Sequence, residues 1–307
     1  MTARMTRPEV RIYEVGPRDG LQAEATMVPT DAKVQLLSML ADAGLREIEA
    51  TSFVRPDAIP QLADAEELLA RLERRPGVRY PVLVPNSRGL ERAIAAGVDA
   101  ICLITAATDA YVQHNIGMTV DESLAAFAPI AAEARSRGWW VRAYVSTAFG
   151  CPYDGEVDEG AVVRVAERLL RLGVDELSIS DTVGVATPAD VRRVIRALTT
   201  AEIRPEVVAL HLHDTRGTAL ANVMAALELG IRCFDASTGG TGSSPYAPGS
   251  AGNLATEDLV YLLDREGVRT GVDLDRVLAA AAFIASQLGR ETASKVGRAG
   301  GWPRIGG

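Results

Sequence analysis

The feature that most limits the possible folds of this chain is a repeated alternation of two kinds of segment. Short runs rich in β-branched residues are followed by longer amphipathic stretches, at a spacing of roughly 20–40 residues. This rhythm predicts parallel strands connected by helical crossovers. The predicted strands are residues 11–16, 46–53, 79–85, 100–106, 140–149, 175–181, 207–214 and 231–238.

Eight strand–helix units within about 250 residues predict an α/β protein folded as one (β/α)8 TIM barrel. A doubly wound α/β sheet is the alternative, although no Gly-rich nucleotide fingerprint follows the first strand. We expect a single barrel domain over residues 1–296, with a C-terminal helical extension at about residues 256–290. The glycine-rich segment 297–307 is expected to be a flexible tail.

The composition argues against several classes of partner. The 307 residues are 48% hydrophobic and carry a formal net charge of −8, which favours neither nucleic acid nor an anionic membrane as a partner. No run of about 18 apolar residues is present, so no membrane span is expected. The three cysteines include no CxxC pair, so a disulfide scaffold is not expected and a reducing cytoplasm is the expected location.

Polar residues recur at the carboxyl ends of the predicted strands or directly after them. In a (β/α)8 barrel these ends build the active site. The distribution therefore predicts one composite site from residues that are far apart in the chain. These residues are Arg18 and Asp19 after the first strand, Glu49 in the second, Asp181 at the end of the sixth, His211 and His213 in the seventh, and Asn253 after the eighth.

The spacing of His211 and His213 is a metal-ligand pattern. Side chains alternate faces along a strand, so both imidazoles point to the same side while Leu212 points to the other. Two imidazoles on one face make half of a metal site. The spacing alone leaves a second interpretation equally open, in which the two histidines are hydrogen-bonded residues at a strand end.

Five segments in fixed order resemble the 3-hydroxy-3-methylglutaryl-CoA lyase family. The resemblance covers residues from about 10 to about 296 and implies a (β/α)8 barrel that forms a homodimer. The segments are VGPRDGLQ at residues 15–22, EATSF at 49–53, GCPY at 150–153, HLHDT at 211–215 and GNLATEDLVY at 252–261.

The resemblance implies a divalent metal, Mg2+ or Mn2+. One carboxylate, two imidazoles and one amide oxygen suit a borderline-to-hard cation that keeps positions for substrate oxygens. The absence of neighbouring thiolates argues against structural zinc, while Zn2+ as such stays open. The implied ligands are Asp19, His211, His213 and Asn253.

The resemblance also implies retro-Claisen cleavage of a 3-hydroxyacyl-CoA. Arg18 is the expected donor to the thioester oxygen, where enolate charge develops, and its alternative role is a salt bridge at the barrel mouth. Glu49 and Asp181 would orient Arg18 or the metal ligands, or relay protons. Substrate binding is expected at Gln22 and at Asn115, which follows the fourth strand.

The chain departs from the family pattern at three positions. Ser244 stands where the family's flexible loop carries a cysteine, and because a hydroxyl is a much weaker acid than a thiol, we expect Ser244 to relay a proton only through water. Arg216 replaces an aromatic residue and would pair with a substrate carboxylate or a CoA phosphate, or be a surface charge. Ala25 replaces a common lysine.

The predicted function is a metal-dependent acyl-CoA lyase acting on a substrate like 3-hydroxy-3-methylglutaryl-CoA, with acetyl-CoA and a keto acid as products. A related branched 3-hydroxyacyl-CoA, such as citramalyl-CoA, is an alternative substrate. An isopropylmalate-type condensing synthase and a metal-binding barrel that has lost catalysis are the alternative classes of protein.

Overall fold

The sheet is built from parallel strands that lie side by side in chain order. The computed structural model describes residues 9–242 and 252–301 of the chain. Its strands are β1 (Arg11–Glu14), β2 (in two segments, Glu47–Ile48 and Thr51–Ser52), β3 (Val82–Leu83), β4 (Ala100–Ala106), β5 (Trp140–Ser146), β6 (Glu176–Asp181), β7 (Val208–Leu212) and β8 (Cys233–Ala236).

The strands close into a barrel because β2 bonds to both of its neighbours. Its first segment pairs with β1 and its second with β3. At the break between the segments, the N–H of Glu49 donates to the Glu14 carbonyl (2.8 Å) and that of Ala50 to the Pro81 carbonyl (2.9 Å). The last strand, β8, pairs with β1. The predicted α/β barrel is confirmed, with the second predicted strand divided in two.

Helices follow the strands and cover the outside of the barrel. Among residues 9–242 and 252–301, no helix is long and apolar enough to cross a membrane. The helices are α1 (Thr30–Asp42), α2 (Ala65–Arg71), α3 (Ser87–Ala95), α4 (Asp109–Ile116), α5 (Val120–Ser136), α6 (Glu159–Arg171), α7 (Pro188–Thr200), α8 (Ala219–Glu228), α9 (Thr256–Arg265), α10 (Leu274–Leu288) and α11 (Lys295–Ala299).

Local sequence determines where the helices begin and end. Thr119 and Glu122 form a reciprocal capping box that starts α5. After α1, Gly44 has φ +101°, and a Cβ built there would lie 2.4 Å from the Gly271 carbonyl oxygen. Only glycine therefore allows the chain to turn from α1 toward β2 at this position.

Three segments differ from the sequence-based expectation. The amphipathic stretch over residues 58–74 predicts one helix, but it forms a 3-10 turn at Pro60–Leu62 and then the shorter helix α2. The segment after β4 forms the helix α4, which no amphipathic pattern in the sequence predicts. Residues 297–299, assigned to the flexible tail, belong to α11, which is held because Asp258 accepts the N–H of Val296 at 2.7 Å. Tail residues 302–307 lie outside the described ranges.

The barrel has an apolar outer layer and a strongly polar interior. Side chains such as Leu40, Phe127 and Leu210 are buried between the strands and the helices. Inside the barrel, Arg142 on β5 is fully buried and forms ion pairs with Asp235 and Glu176. Because buried charges need partners, this interior is a connected ionic network below the carboxyl ends of the strands.

Candidate metal centre and active site

Three predicted metal ligands meet at the carboxyl end of the barrel. Asp19 lies in the wide helical turn Gly16–Gly20 that follows β1, while His211 and His213 lie in β7 and directly after it. One potential ligand atom from each of the three lies within 4.8 Å of the others. The alternation predicted for the histidine pair therefore places both imidazoles on the interior side, facing one carboxylate.

Asn253 joins this group from the segment that follows the loop after β8. Its backbone forms an antiparallel bridge with His213, and its Nδ2 donates to Asp19 Oδ2 at 2.9 Å. Its Oδ1 is buried and has no hydrogen-bond partner among the described residues, and the same is true of Nδ1 of His213. A buried amide oxygen and a buried ring nitrogen that lack partners are atoms that a bound cation could satisfy.

The electrostatics of the cluster keep its ligands in the forms that bind metal. Burial and the neighbouring His211 lower the pKa of His213 to about 3, so this imidazole is neutral. Burial acts to raise the pKa of Asp19, but Arg18 and the two histidines outweigh it and hold that pKa below its ordinary value. A carboxylate and a neutral imidazole are therefore available as ligands near neutral pH.

Arg18 is oriented by two carboxylates. Its Nε donates to Glu49 Oε1 at 2.6 Å and its Nη1 to Asp19 Oδ1 at 3.0 Å. Glu49 is fully buried, and its other oxygen accepts the hydroxyl proton of Tyr144. These contacts leave Nη2 of Arg18 without an acceptor among the described residues. The predicted role of Glu49 as a residue that orients Arg18 agrees with this geometry.

A cavity of about 430 Å3 opens beside the cluster and contains Arg18, Asp19, His211 and His213 in its wall. Gln22 and Asn115, the predicted substrate-binding residues, also line it. Gln22 donates to Asp19 Oδ1 at 2.8 Å, so it contacts a candidate ligand as well. The remaining wall combines the hydroxyl groups of Tyr144, Ser146, Ser180 and Thr182 with apolar side chains such as Leu83, Ile104 and Ile116.

Two other predicted site residues, Asp181 and Arg216, do not line this cavity. The carboxylate of Asp181 accepts the N–H groups of Val185 and Ala186, both at 3.0 Å, and so holds the turn after β6. Exposed Arg216 donates from Nη1 to the carbonyls of Val183 (3.0 Å) and Gly184 (2.9 Å). The catalytic assignment of Asp181 and the substrate contact of Arg216 stay predictions. Ser244 lies outside the described residues.

Two residues that contact the cluster were missed by sequence reasoning. Tyr144 holds Glu49 and packs edge-on against the ring of His211, with 5.9 Å between ring centroids. Asp235 on β8 lies 3.1 Å from Nδ1 of His211. Both belong to strands whose residues alternate between interior and exterior, so a charged or hydroxyl residue at an interior position was the available signal.

The protein is a closed (β/α)8 barrel whose carboxyl end brings together an Asp, a His-x-His pair and an Asn. It therefore falls into the class of barrel enzymes with a candidate metal site. The sequence matches the family model described as HMGL-like over residues 9–284. The chain belongs to this family, that of the hydroxymethylglutaryl-CoA lyases, which are carbon–carbon lyases.

Individual relatives share most of the chain. The mitochondrial hydroxymethylglutaryl-CoA lyase of Bos taurus is 46% identical over 291 residues, which cover 95% of this chain and 89% of the relative. The solved HMG-CoA lyase of Bacillus subtilis has a TM-score of 0.93 and 44% identity, covering 95% of this chain and 98% of its own. An Acinetobacter baumannii HMG-CoA lyase, solved with coenzyme A and 3-methylmalate, has a TM-score of 0.91 and 38% identity, with 97% of both chains covered.

Proposed function

We propose that this protein is a divalent-metal-dependent lyase that cleaves a branched 3-hydroxyacyl-CoA to acetyl-CoA and a keto acid. The observation that carries the proposal is the meeting of Arg18, Asp19, His211 and His213 in one cavity of a chain 46% identical to a named hydroxymethylglutaryl-CoA lyase. The first candidate substrate is 3-hydroxy-3-methylglutaryl-CoA.

Four residues would hold the ion: Asp19, His211, His213 and Asn253. The absence of hydrogen-bond partners for the buried Asn253 Oδ1 and His213 Nδ1 among the described residues supports this assignment. When bound, Mg2+ or Mn2+ supplies Lewis-acid polarisation of substrate oxygens. The carboxylate and amide oxygens favour these hard cations, and two imidazoles also suit Zn2+, so the identity of the metal is part of the test.

Arg18 is positioned to stabilise the charge that develops on the leaving enolate. In the cleavage, a base takes the hydroxyl proton, the C2–C3 bond breaks, and its electron pair moves to the thioester to give the acetyl-CoA enolate. The enolate then takes a proton at C2. Glu49 and Asp19 fix two edges of the guanidinium and direct Nη2 to a donor position that costs no rearrangement during the reaction.

The wall of the cavity suits a short branched acyl group that carries a polar end. Leu83, Ile104 and Ile116 offer apolar surface for a methyl branch, while Ser146 and Thr182 offer hydroxyl donors for a carboxylate. The Acinetobacter baumannii structure contains coenzyme A and 3-methylmalate, a hydroxy diacid. It is the specific observation that favours a second candidate, the CoA ester of a branched hydroxy diacid such as citramalate or 3-methylmalate.

The test is an assay of the metal-loaded protein with these CoA esters in parallel, each with Mg2+ and with Mn2+. Acetyl-CoA release from 3-hydroxy-3-methylglutaryl-CoA, abolished by chelation, is the expected result. Cleavage of only another ester would change the substrate, and cleavage of none would reject the lyase. Acetyl-CoA consumption in the presence of a 2-oxoacid would instead indicate an isopropylmalate-type synthase.

We also propose how the protein assembles and where in the cell it is located. A homodimer follows from the family resemblance, and light scattering of the purified protein tests it. A cytoplasmic location is supported by the cytoplasmic lyase of Rattus norvegicus, 45% identical over 290 residues, although its mitochondrial relative is equally similar. Fractionation of cells that express the full chain distinguishes the two.

A further inference from the structure

Behind His211, on the side away from the cavity, lies a buried carboxylate that the proposed reaction does not use. Asp235 sits opposite His211 in the register of β7 and β8. Its Oδ2 is 3.1 Å from Nδ1 of His211, and the residue is 1% exposed. The other ring nitrogen, Nε2, points toward Asp19, with 3.9 Å between Nε2 and Asp19 Oδ2.

The Asp235 carboxylate is itself fixed on both oxygens. Arg142, fully buried on β5, donates from Nη2 to Oδ1 at 2.5 Å and from Nη1 to Oδ2 at 3.2 Å. Ser178 on β6 donates its hydroxyl proton to Oδ2 at 3.1 Å. Arg142 is anchored in turn by Glu176, with 3.0 Å between Nε and Oε1. Because the planar guanidinium of Arg142 contacts both Asp235 and Glu176, the Asp235 carboxylate has little freedom to move.

These contacts determine which nitrogen of His211 carries the hydrogen. An ionised carboxylate only accepts hydrogen bonds, so Nδ1 must donate to Asp235, and the lone pair of the neutral ring is then on Nε2. His213 differs, because its Nδ1 has no partner among the described residues. The ring of His211 therefore has a carboxylate partner that fixes its orientation, whereas Nδ1 of His213 has no partner among the described residues.

We infer that Asp235, held by Arg142, is a positioning residue that orients His211 for metal binding. The inference rests on the metal site of the proposed function. Removing the charge of Asp235 would free the imidazole to rotate and would leave Arg142, a buried cation near the site, with Glu176 as its remaining carboxylate partner among the described residues. Both effects weaken cation binding.

The test measures Mn2+ affinity directly, from the free-Mn2+ electron paramagnetic resonance signal of the full-length protein. Asp235→Asn is expected to raise the Mn2+ Kd by about 10- to 100-fold. The matched control is Asp64→Asn, which removes a carboxylate paired with the buried Lys33 of α1 on the outside of the barrel. Its Kd should stay within about twofold of the wild-type value, because Asp64 shares no partner with Asp235 or with the proposed ligands.

A second variant covers the case in which Asp235→Asn does not fold. Arg142→Lys keeps the charge but loses the two-pronged contact, so it should also raise the Kd, while Asp64→Asn does not. If Asp235→Asn, or Arg142→Lys in its place, binds Mn2+ as the wild type does, the inference is wrong and the metal site stands. Equal weakening in Asp64→Asn would also overturn it. A wild-type protein that binds no divalent ion would instead refute the metal site of the proposed function.

Discussion

Arg18 and Glu49 are joined by a hydrogen bond of 2.6 Å between Nε and Oε1, in a place where both side chains are almost completely buried. Tyr144 donates to the second oxygen of the same carboxylate. The guanidinium therefore cannot turn without leaving a buried carboxylate unpaired, which is costly. This anchoring makes Arg18 a preorganised donor at the floor of the cavity.

Glu49→Gln is expected to lower kcat by about 100-fold, because the uncharged amide no longer holds Arg18 in its donor position. The KM should change much less, because Glu49 is fully buried and does not line the cavity. Steady-state assays with 3-hydroxy-3-methylglutaryl-CoA measure both constants. Glu66→Gln is the matched control, because Glu66 makes the same Nε–Oε1 contact with Arg92 on the outside of the barrel. A kcat within twofold of wild type in Glu49→Gln would contradict the anchoring role.

Divalent metal should stabilise the fold through the four proposed ligands. A ligand present at about 100 times its Kd raises the free energy of unfolding by about 2.7 kcal/mol. The apparent Tm of the wild type should therefore rise by several degrees with Mn2+, as measured by differential scanning calorimetry, and fall back with a chelator. His213→Ala should lose this rise because it removes one of the two imidazoles.

The third histidine supplies the control for this experiment. His114 is an exposed residue of α4 and stacks on Tyr153, with ring centroids 3.9 Å apart. His114→Ala should keep the full Mn2+-dependent increase in Tm. If His213→Ala keeps it as well, the ion that stabilises the protein binds at another place.

Local patterns were sufficient to predict the barrel and to place polar residues at its carboxyl end. The period-2 alternation in β7 placed His211 and His213 on one side before any other residue was considered, and the structure brings Asp19 to the same point. This works because parallel strands in a barrel all end at the same face. A polar residue at a strand end is therefore informative even when its partners are far away in the chain.

Contacts across the barrel could not be predicted in the same way. The pairing of His211 with Asp235 depends on the register between β7 and β8, and that of Arg142 with Asp235 on which strands face each other across the interior. Asp181 shows a related limit: it stands at a strand end as predicted, but its hydrogen bonds from two backbone N–H groups of the next turn could not be predicted. Sequence position does not reveal which acceptor a nearby amide will take.

The stability of the protein should depend on pH through Glu257. This side chain accepts one hydrogen bond, from the N–H of Gly239 at 3.1 Å, and its other oxygen is buried without a partner among the described residues. Burial, with smaller contributions from Asp258 and Glu14, raises the pKa of Glu257 from 4.5 to about 7. Between these values the unfolded chain releases a proton that the folded protein still holds. The free energy of unfolding therefore falls as pH rises, by up to about 3 kcal/mol.

Glu257→Gln should remove this slope, because the amide does not titrate. Urea unfolding of the metal-free protein at several pH values from 4.5 to 7 measures the difference between wild type and variant. Exposed Glu91 provides a control, and Glu91→Gln should keep the wild-type slope. Parallel pH dependences for the wild type and Glu257→Gln would show that Glu257 ionises normally in the folded protein.

The role of Arg216 can be decided by comparison with a residue of the cavity wall. The guanidinium of Arg216 donates to the carbonyls of Val183 and Gly184. Arg216→Ala should therefore leave KM within twofold of wild type, and it should lower the free energy of unfolding by less than about 1 kcal/mol. Asn115 lines the cavity, and Asn115→Ala should raise KM by about 5- to 30-fold through loss of one hydrogen bond to substrate. If Arg216→Ala raises KM as strongly as Asn115→Ala does, the guanidinium leaves the two carbonyls when substrate binds, and Arg216 contacts a substrate anion after all.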